Sequence, residues 1–128
     1  MNENKIFNKI KIIAVDNDRG SLYLIRSLLT SLGCEGDFLD TIEGAVAKLK
    51  ANKYDICFTD INLPVANGLQ LTRFIRDTIS KDMPIIAVTG SVLPENKDIC
   101  FNAGMNGFIA KPVNIKILQD EINRHLTA

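Results

Sequence analysis

The 128-residue sequence predicts an α/β fold in which a doubly wound parallel sheet carries helices on both faces. Short apolar runs alternate five times with segments whose apolar residues recur at helical spacing. The central runs are continuously apolar, as expected for strands that are buried on both sides of a sheet. Because no repeat or linker sequence interrupts this alternation, we predict a single domain over residues 1–128 with its core at about 9–125.

The first third of the chain predicts a strand, a helix and an edge strand. Residues 10–15 form the first apolar run, and the helix after it extends to about Leu32. Gly33 follows as the predicted C-cap of that helix. Residues 34–39 are less apolar and include a glycine and an aspartate, which is typical of a strand at the edge of a sheet.

The middle of the chain predicts the second helix, the third strand and the third helix. Asp40 and Glu43 have the spacing of a capping box, which places the start of the second helix after Asp40. Residues 55–59 form the third strand. A polar loop then leads to Gly68 and into a helix with apolar residues along one side.

The last third predicts two further strand–helix pairs. Residues 84–89 form the fourth strand, and Pro94 opens a short, polar fourth helix. Residues 107–110 form a brief fifth strand, after which Asn114 caps the last helix. We expect the last helix to direct three apolar side chains inward, those of Ile115, Leu118 and Ile122.

Such an alternation favours a flavodoxin-like sheet with strand order 2-1-3-4-5 and right-handed crossovers. In sheets of this kind, functional groups gather outside the carboxyl ends of the strands. The first strand is followed by Asp16, Asn17 and Asp18, and the third is followed by Asp60 and Asn62. Clustered carboxylates repel each other unless a proton or cation lies between them, and oxygen ligands of this type favour Mg²⁺. We therefore predict a magnesium site at this edge.

The fourth and fifth strands end on groups that suit an anion. Thr89 offers a hydroxyl donor, and Lys111 offers a positive charge. Taken singly, each of these residues has a structural explanation, such as a helix cap, a turn residue or a solvated lysine. Their coincidence at four strand ends indicates a site for a trianionic group, held between a metal, an ammonium and a hydroxyl, as in phosphoryl transfer.

Composition limits the other classes of function. Fifteen basic and fifteen acidic residues give a net charge of zero, so nothing in the bulk charge favours direct nucleic-acid binding. No apolar run approaches the length of a membrane span or resembles a signal peptide. The three cysteines, Cys34, Cys57 and Cys100, are far apart, and we interpret them as reduced core thiols of a cytoplasmic protein.

From about Lys9 to His125 the sequence resembles the receiver domains of response regulators in two-component signalling, including chemotaxis regulators. Four segments carry the resemblance: IIAVDND, FTDINLPVANG, PIIAVTG and GMNGFIAKPV. Each segment is moderately specific alone, and the set is highly specific in this order. The resemblance implies that Asp60 is the phosphoacceptor. It implies that Mg²⁺ is held by Asp16, Asn17, Asp60 and the backbone carbonyl of Asn62.

One departure from the family pattern concerns the metal. Asn17 stands where the family has a second acid, and its amide oxygen can ligate Mg²⁺ without contributing charge. We therefore expect weaker metal binding, with Asp18 as a further candidate ligand that compensates for the missing acid.

The resemblance also assigns a switch. Thr89 matches the switch hydroxyl, Lys111 the phosphate-contacting lysine, and Phe108 the switch aromatic residue. Pro112 matches a proline whose preceding peptide bond is commonly cis in the family. Ser91, with Asn62, matches a position that tunes dephosphorylation.

The implied function is a phosphorelay step and not turnover of a separate substrate, so we do not expect an enzyme. A histidine kinase or a histidine phosphotransfer protein donates a phosphoryl group to Asp60, and the change switches the binding of a downstream partner. The resemblance is compatible with a monomer or a weak dimer.

Two alternatives stay open at this point. Asn17 keeps open a pseudo-receiver that binds proteins without being phosphorylated. Asp16 and Asp18 also form a D-x-D pattern that resembles haloacid-dehalogenase-like phosphatases. Those enzymes need a later acidic pair in a loop, and here Asp120 and Glu121 fall on the predicted last helix. A flavin or nucleotide binder is disfavoured, because the acidic DND segment repels phosphate.

Overall fold

The computed structural model describes residues 7–61, 66–90 and 94–126. The strands in these ranges are β1 (Lys11–Val15), β2 (Glu35–Leu39), β3 (Ile56–Thr59), β4 (Ile85–Thr89) and β5 (Gly107–Ala110). The helices are α1 (Arg19–Ser31), α2 (Ile42–Ala51), α3 (Ala66–Phe74), α4 (Pro94–Ala103) and α5 (Ile115–Leu126). None of the helices described is long and apolar enough to cross a membrane.

The five strands form one parallel sheet in the order β2-β1-β3-β4-β5, which confirms the predicted fold class and strand order. The register pairs Val15 with Thr59, so β1 and β3 end side by side. Thr89 pairs with Ala110, so β4 and β5 also end together. The residues that follow these strands therefore meet at one edge of the sheet.

Helices cover both faces of the sheet because successive strand side chains point to opposite sides. Ile12 and Ala14 face the core formed with α1 and α5, whereas Ile13 and Val15 face the core formed with α2, α3 and α4. All three cysteines are free and buried, as expected of core thiols. Burial raises the pKa of the Cys57 thiol to about 12, which makes this thiol unreactive at neutral pH.

The predicted capping box at Asp40 is wrong. Thr41 caps α2, because its Oγ1 accepts a hydrogen bond of 3.0 Å from the Gly44 N–H. Asp40 instead lies 3.7 Å from the guanidinium of Arg19 in an exposed ion pair. Adjacent Asp and Thr are both good capping residues, so sequence alone left the start of the helix ambiguous by one residue.

At the other helix ends the predictions have mixed outcomes. Gly33 follows α1 with a φ of 97°, which suits a glycine at a helix terminus. Asn114 caps α5 by accepting from the Ile117 N–H at 2.9 Å. Ile115, predicted to face inward, is 41% exposed, because Val113 in the preceding loop takes the buried position. The last turn of the third helix is π-helical over Ile75–Ile79, which the apolar pattern did not predict.

Candidate functional site

Three charged side chains from distant parts of the chain meet at the carboxyl edge of the sheet. Asp16 directly follows β1, Asp60 follows β3, and Lys111 follows β5. The Lys111 Nζ lies 2.9 Å from Asp16 Oδ2 and 3.0 Å from Asp60 Oδ2. We call Asp16, Asp60 and Lys111 the strand-end cluster. The structure thus brings together three residues that the sequence had placed at one site.

Backbone hydrogen bonds hold these residues at the ends of their strands. The Asp60 N–H donates to the Val15 carbonyl at 3.0 Å, which continues the pairing of β1 and β3 by one residue. The Lys111 N–H donates to the Thr89 carbonyl at 2.9 Å and continues the pairing of β4 and β5. The sheet itself therefore sets the spacing of the charged groups.

Burial gives the strand-end cluster its electrostatic character. Asp16 is 5% exposed and Asp60 is 3% exposed. Burial is the largest influence on Asp16 and raises the pKa of its carboxyl, against the hydrogen bond from Lys111 that lowers it. Burial also opposes the charge of Lys111, but its bonds to Asp16 and Asp60 outweigh this and raise the pKa of the ammonium. A carboxylate beside a fixed cation in such a site can attack an electrophile whose negative charge the cation offsets.

Asp18 and Asn17 adjoin the cluster without joining its ion pairs. Asp18 is the N-cap of α1, and its Oδ1 accepts from the Gly20 N–H at 3.0 Å. Bonds from the Ser21 N–H and the Gly20 N–H lower the pKa of the Asp18 carboxyl. Both Asn17 and Asp18 are exposed. The role of Asp18 as a metal ligand stays a prediction, and its carboxylate already serves the helix terminus.

The predicted switch residues lie on β4 and β5. Thr89 is the last residue of β4 and is fully buried. Phe108 is half-buried on β5, and the Lys97 Nζ of α4 lies 5.6 Å from the centroid of its ring. This contact was not predicted, since no sequence pattern relates residues on α4 and β5. The Lys111–Pro112 peptide bond is cis, as the resemblance implied.

Two of the predicted positions, Asn62 and Ser91, lie outside the described residues. Their roles therefore stay predictions.

The donor set at the strand-end cluster fits a hard divalent cation. The described residues contain no group of three or more His, Cys, Asp or Glu side chains that could hold a metal. A metal here would depend on the two carboxylates of Asp16 and Asp60, helped by neutral oxygens. Mg²⁺ binds in this way, through one or two carboxylates, waters and a phosphate, whereas zinc prefers His and Cys ligands.

A third buried carboxylate lies on α5 and was missed from the sequence. Glu121 is 4% exposed and contacts Arg124, and its Oε2 lies 3.2 Å from His125 Nε2. We call Glu121, Arg124 and His125 the helix cluster. Spacings of three and four residues on a predicted helix were the available signal. The cluster packs on Gly107, where an added Cβ would lie 2.5 Å from Glu121 Oε2.

Comparison with known proteins identifies the family. The family model described as "Response regulator receiver domain" matches residues 12–123. The chain is 33% identical over 122 residues to hybrid signal transduction histidine kinase L of Dictyostelium discoideum, covering 90% of this chain and 7% of the kinase. It is 31% identical over 111 residues to the sensor histidine kinase RcsC of Escherichia coli, covering 87% of this chain and 12% of RcsC. The chain thus spans a small part of these relatives.

Solved structures agree. The receiver domain of sensor histidine kinase PA1611 from Pseudomonas aeruginosa is 31% identical, with a TM-score of 0.82 over 93% of this chain and 98% of that one; its structure has a magnesium ion coordinated in the active-site cleft. A CheY-like receiver domain protein from Methanospirillum hungatei is 30% identical, with a TM-score of 0.81 over 90% of this chain and 91% of that one. With this sheet, this strand-end chemistry and these relatives, the chain belongs to the response-regulator receiver domains of two-component signalling.

Proposed function

We propose that this receiver domain accepts a phosphoryl group on Asp60 from a phosphorylated histidine of a histidine kinase or a histidine phosphotransfer protein. One observation carries the proposal: Lys111 bonds both Asp16 and Asp60 at the carboxyl ends of their strands. An Asp60 carboxylate oxygen attacks the phosphorus, the bond between phosphorus and the histidine nitrogen breaks, and the freed imidazole leaves. Lys111 then offsets the charge of the acyl phosphate.

The relatives support the nature of the donor. The curated relatives named above are histidine kinases, and the matching segment is a small part of each. A receiver segment within or beside a kinase takes its phosphoryl group from a histidine on the same or a second protein.

Mg²⁺ is the proposed cofactor, held by Asp16, Asn17, Asp60 and the Asn62 carbonyl. When bound, it offsets negative charge on the phosphoryl group during transfer. Asp16 supports this role because its buried carboxylate lies beside Asp60 through their shared contact with Lys111. Asn17 adjoins them with an uncharged amide, so we expect weaker binding than an acid would give at that position.

The proposed switch follows from the new charge on Asp60. The acyl phosphate draws the Thr89 hydroxyl and the Lys111 ammonium towards it. Movement of Thr89 opens room for Phe108 to turn inward, and repacking near α4 and β5 changes the surface offered to a partner. The phosphoryl group thus shifts a population between two conformations, and hydrolysis resets it.

A second candidate function is a protein-binding module that is not phosphorylated. One observation favours it, namely the uncharged Asn17 at the position where the resemblance implies a second acidic metal ligand. Phosphorylation separates the two candidates directly.

The test is incubation of the chain with acetyl phosphate and Mg²⁺, followed by intact-mass measurement. We expect the mass of one phosphoryl group to be added to the wild-type chain and none to Asp60→Asn. Asp40→Asn is the matched control, because Asp40 directly follows β2 and is exposed, so its loss leaves the adduct in place. Asn17→Asp should phosphorylate faster at limiting Mg²⁺, because it restores a charged ligand.

The outcomes separate the candidates. A wild-type chain that gains no adduct, while Asn17→Asp gains one, would show that Asn17 makes this chain a pseudo-receiver. An adduct that persists in Asp60→Asn would show that another residue carries the phosphoryl group and would refute the assignment of Asp60 as the phosphoacceptor.

A further inference from the structure

A cleft of about 380 Å³ lies beside the strand-end cluster, between α1 and the connection from β5 to α5. Its floor is apolar and comes from the sheet, through Ala14, Phe58 and Val88, each of which is buried. Leu24 on α1 is 37% exposed at its wall. The cleft is open to solvent on one side, so a small molecule can reach its apolar floor.

The chemistry of the cleft is that of a small-ligand site. Ligand sites measure roughly 300–1,000 Å³ and are mainly apolar with a few convergent polar groups. Here the charged groups are Asp16 and Lys111, which line the cleft and are paired at 2.9 Å. The cleft therefore combines an apolar body with one charged end.

The charged end limits the kind of ligand. An ammonium has three N–H donors, and within the described part of the chain Lys111 uses two, on Asp16 and Asp60. A ligand with a carbonyl or hydroxyl oxygen can accept from the third. An anionic ligand would meet the Asp16 carboxylate at the cleft wall and an ammonium whose charge Asp16 and Asp60 already offset, so a neutral acceptor is favoured.

We propose that this cleft binds a neutral, largely apolar ring compound that carries one hydrogen-bond acceptor directed at Lys111. Binding is linked to the chemistry of Asp60, a consequence that rests on the proposed function. Lys111 lines the cleft and also pairs with Asp60, so a ligand that holds Lys111 in this position opposes its movement towards a phosphoryl group. Any such coupling is reciprocal, so phosphorylation of Asp60 also weakens binding of the ligand to the cleft.

The direct test uses the full 128-residue chain, unphosphorylated, with 1-naphthamide as the probe and 1-naphthoate as its anionic counterpart. We expect 1-naphthamide to shift the backbone amide NMR signals of Ser21, Leu24 and Val113. It should bind at least about tenfold more tightly than 1-naphthoate. Absence of binding by both probes at millimolar concentration, or shifts confined to another surface, would overturn the site. Equal affinity for the two probes would overturn the ligand class.

Two filling variants make the location falsifiable. Ala14→Leu fills the floor of the cleft. Gly20→Leu narrows its rim, where an added Cβ would lie 3.4 Å from Asp18 Oδ1. Each variant should lower the affinity for 1-naphthamide by at least about tenfold. If Ala14→Leu overpacks the core and unfolds the chain, Gly20→Leu still tests the location. Ala47→Leu, on the exposed side of α2, is the matched control and should leave affinity unchanged. Unchanged affinity in both filling variants would refute the site.

The linkage has its own readout. Saturating 1-naphthamide should slow labelling by acetyl phosphate in the wild-type chain and not in Gly20→Leu. Binding without slowing would refute the linkage alone. Binding is measured without phosphorylation, so failure of the cleft and failure of the proposed function are distinguishable.

Discussion

The strand-end cluster and the helix cluster are both built on buried carboxylates, yet they arise differently. Asp16, Asp60 and Lys111 are separated by many residues and meet only because three parallel strands end together. In the helix cluster, Arg124 and His125 follow Glu121 by three and four positions, so one turn of α5 brings them together. A helical cluster is a routine product of local spacing. A cluster that needs the whole sheet to form is better evidence of function.

The largest expected effect comes from removing the only cation of the strand-end cluster. Lys111→Met leaves two buried carboxylates side by side, and we expect it to lower the free energy of unfolding by about 3 kcal/mol at neutral pH. Urea unfolding with and without Mg²⁺ measures this effect, and Mg²⁺ should restore part of the loss by replacing the ammonium.

The matched control is Lys116→Met, because Lys116 pairs with Asp120 at 3.4 Å on the surface of α5. That change should cost no more than about 0.5 kcal/mol. Equal losses in the two variants would remove the distinction between the buried cluster and an ordinary surface pair.

The next effect tests how tightly the helix cluster is packed. A Cβ at Gly107 would lie 2.5 Å from Glu121 Oε2 and 2.8 Å from Ile86 Cδ1. We expect Gly107→Ala to lower the free energy of unfolding by about 2 kcal/mol, since α5 must shift away from β5. Gly90→Ala is the control, because no atom of the described residues lies within 4 Å of its added Cβ. If Gly107→Ala left the free energy of unfolding unchanged, the helix cluster would not be tightly packed against β5.

The pH dependence distinguishes two carboxylates that are neighbours in sequence. Burial raises the pKa of Asp16 above 3.8, so the folded chain holds this proton more tightly than the unfolded chain. The stability contributed by Asp16 is therefore present below pH 3.8 and is lost as pH rises through the folded pKa. The stability of Asp16→Asn relative to wild type should therefore increase as pH rises from low pH to neutral pH.

Asp18 should behave in the opposite way. Its helix-cap bonds lower its pKa below 3.8, so its contribution is present above that pH and is lost as pH falls through the folded pKa. Relative to wild type, Asp18→Asn should lose stability as pH rises. Urea unfolding from pH 3 upwards compares the two variants. Changes of the same sign would contradict the assignment of Asp16 as buried and Asp18 as a cap.

The same contrast explains what the sequence could predict. Buried parallel strands appear as apolar runs, so their ends were correctly located, and the rule that these ends share an edge brought Asp16, Asp60 and Lys111 together. Helix termini were less certain, because the cap at Thr41 and the exposed Ile115 depend on choices between adjacent residues.

Packing between elements was not predictable from local patterns. The cleft beside α1 and the approach of Glu121 to Gly107 depend on how far each helix lies from the sheet. Apolar periodicity gives the face of a helix, and it does not give that distance. Periodicity also gave no sign of the π-helical turn at Ile75–Ile79.

The smallest expected effect is at the rim of the helix cluster. Arg124 contacts the buried Glu121, but its side chain is 64% exposed, so water screens most of the attraction. We expect Arg124→Ala to lower the free energy of unfolding by about 0.5 kcal/mol, well below the loss for Lys111→Met, measured in the same urea series. The Lys111 side chain is only 20% exposed, so water cannot take the place of its ammonium beside the carboxylates of Asp16 and Asp60. A loss in Arg124→Ala of the size seen for Lys111→Met would mean that burial of the cation does not distinguish the two clusters.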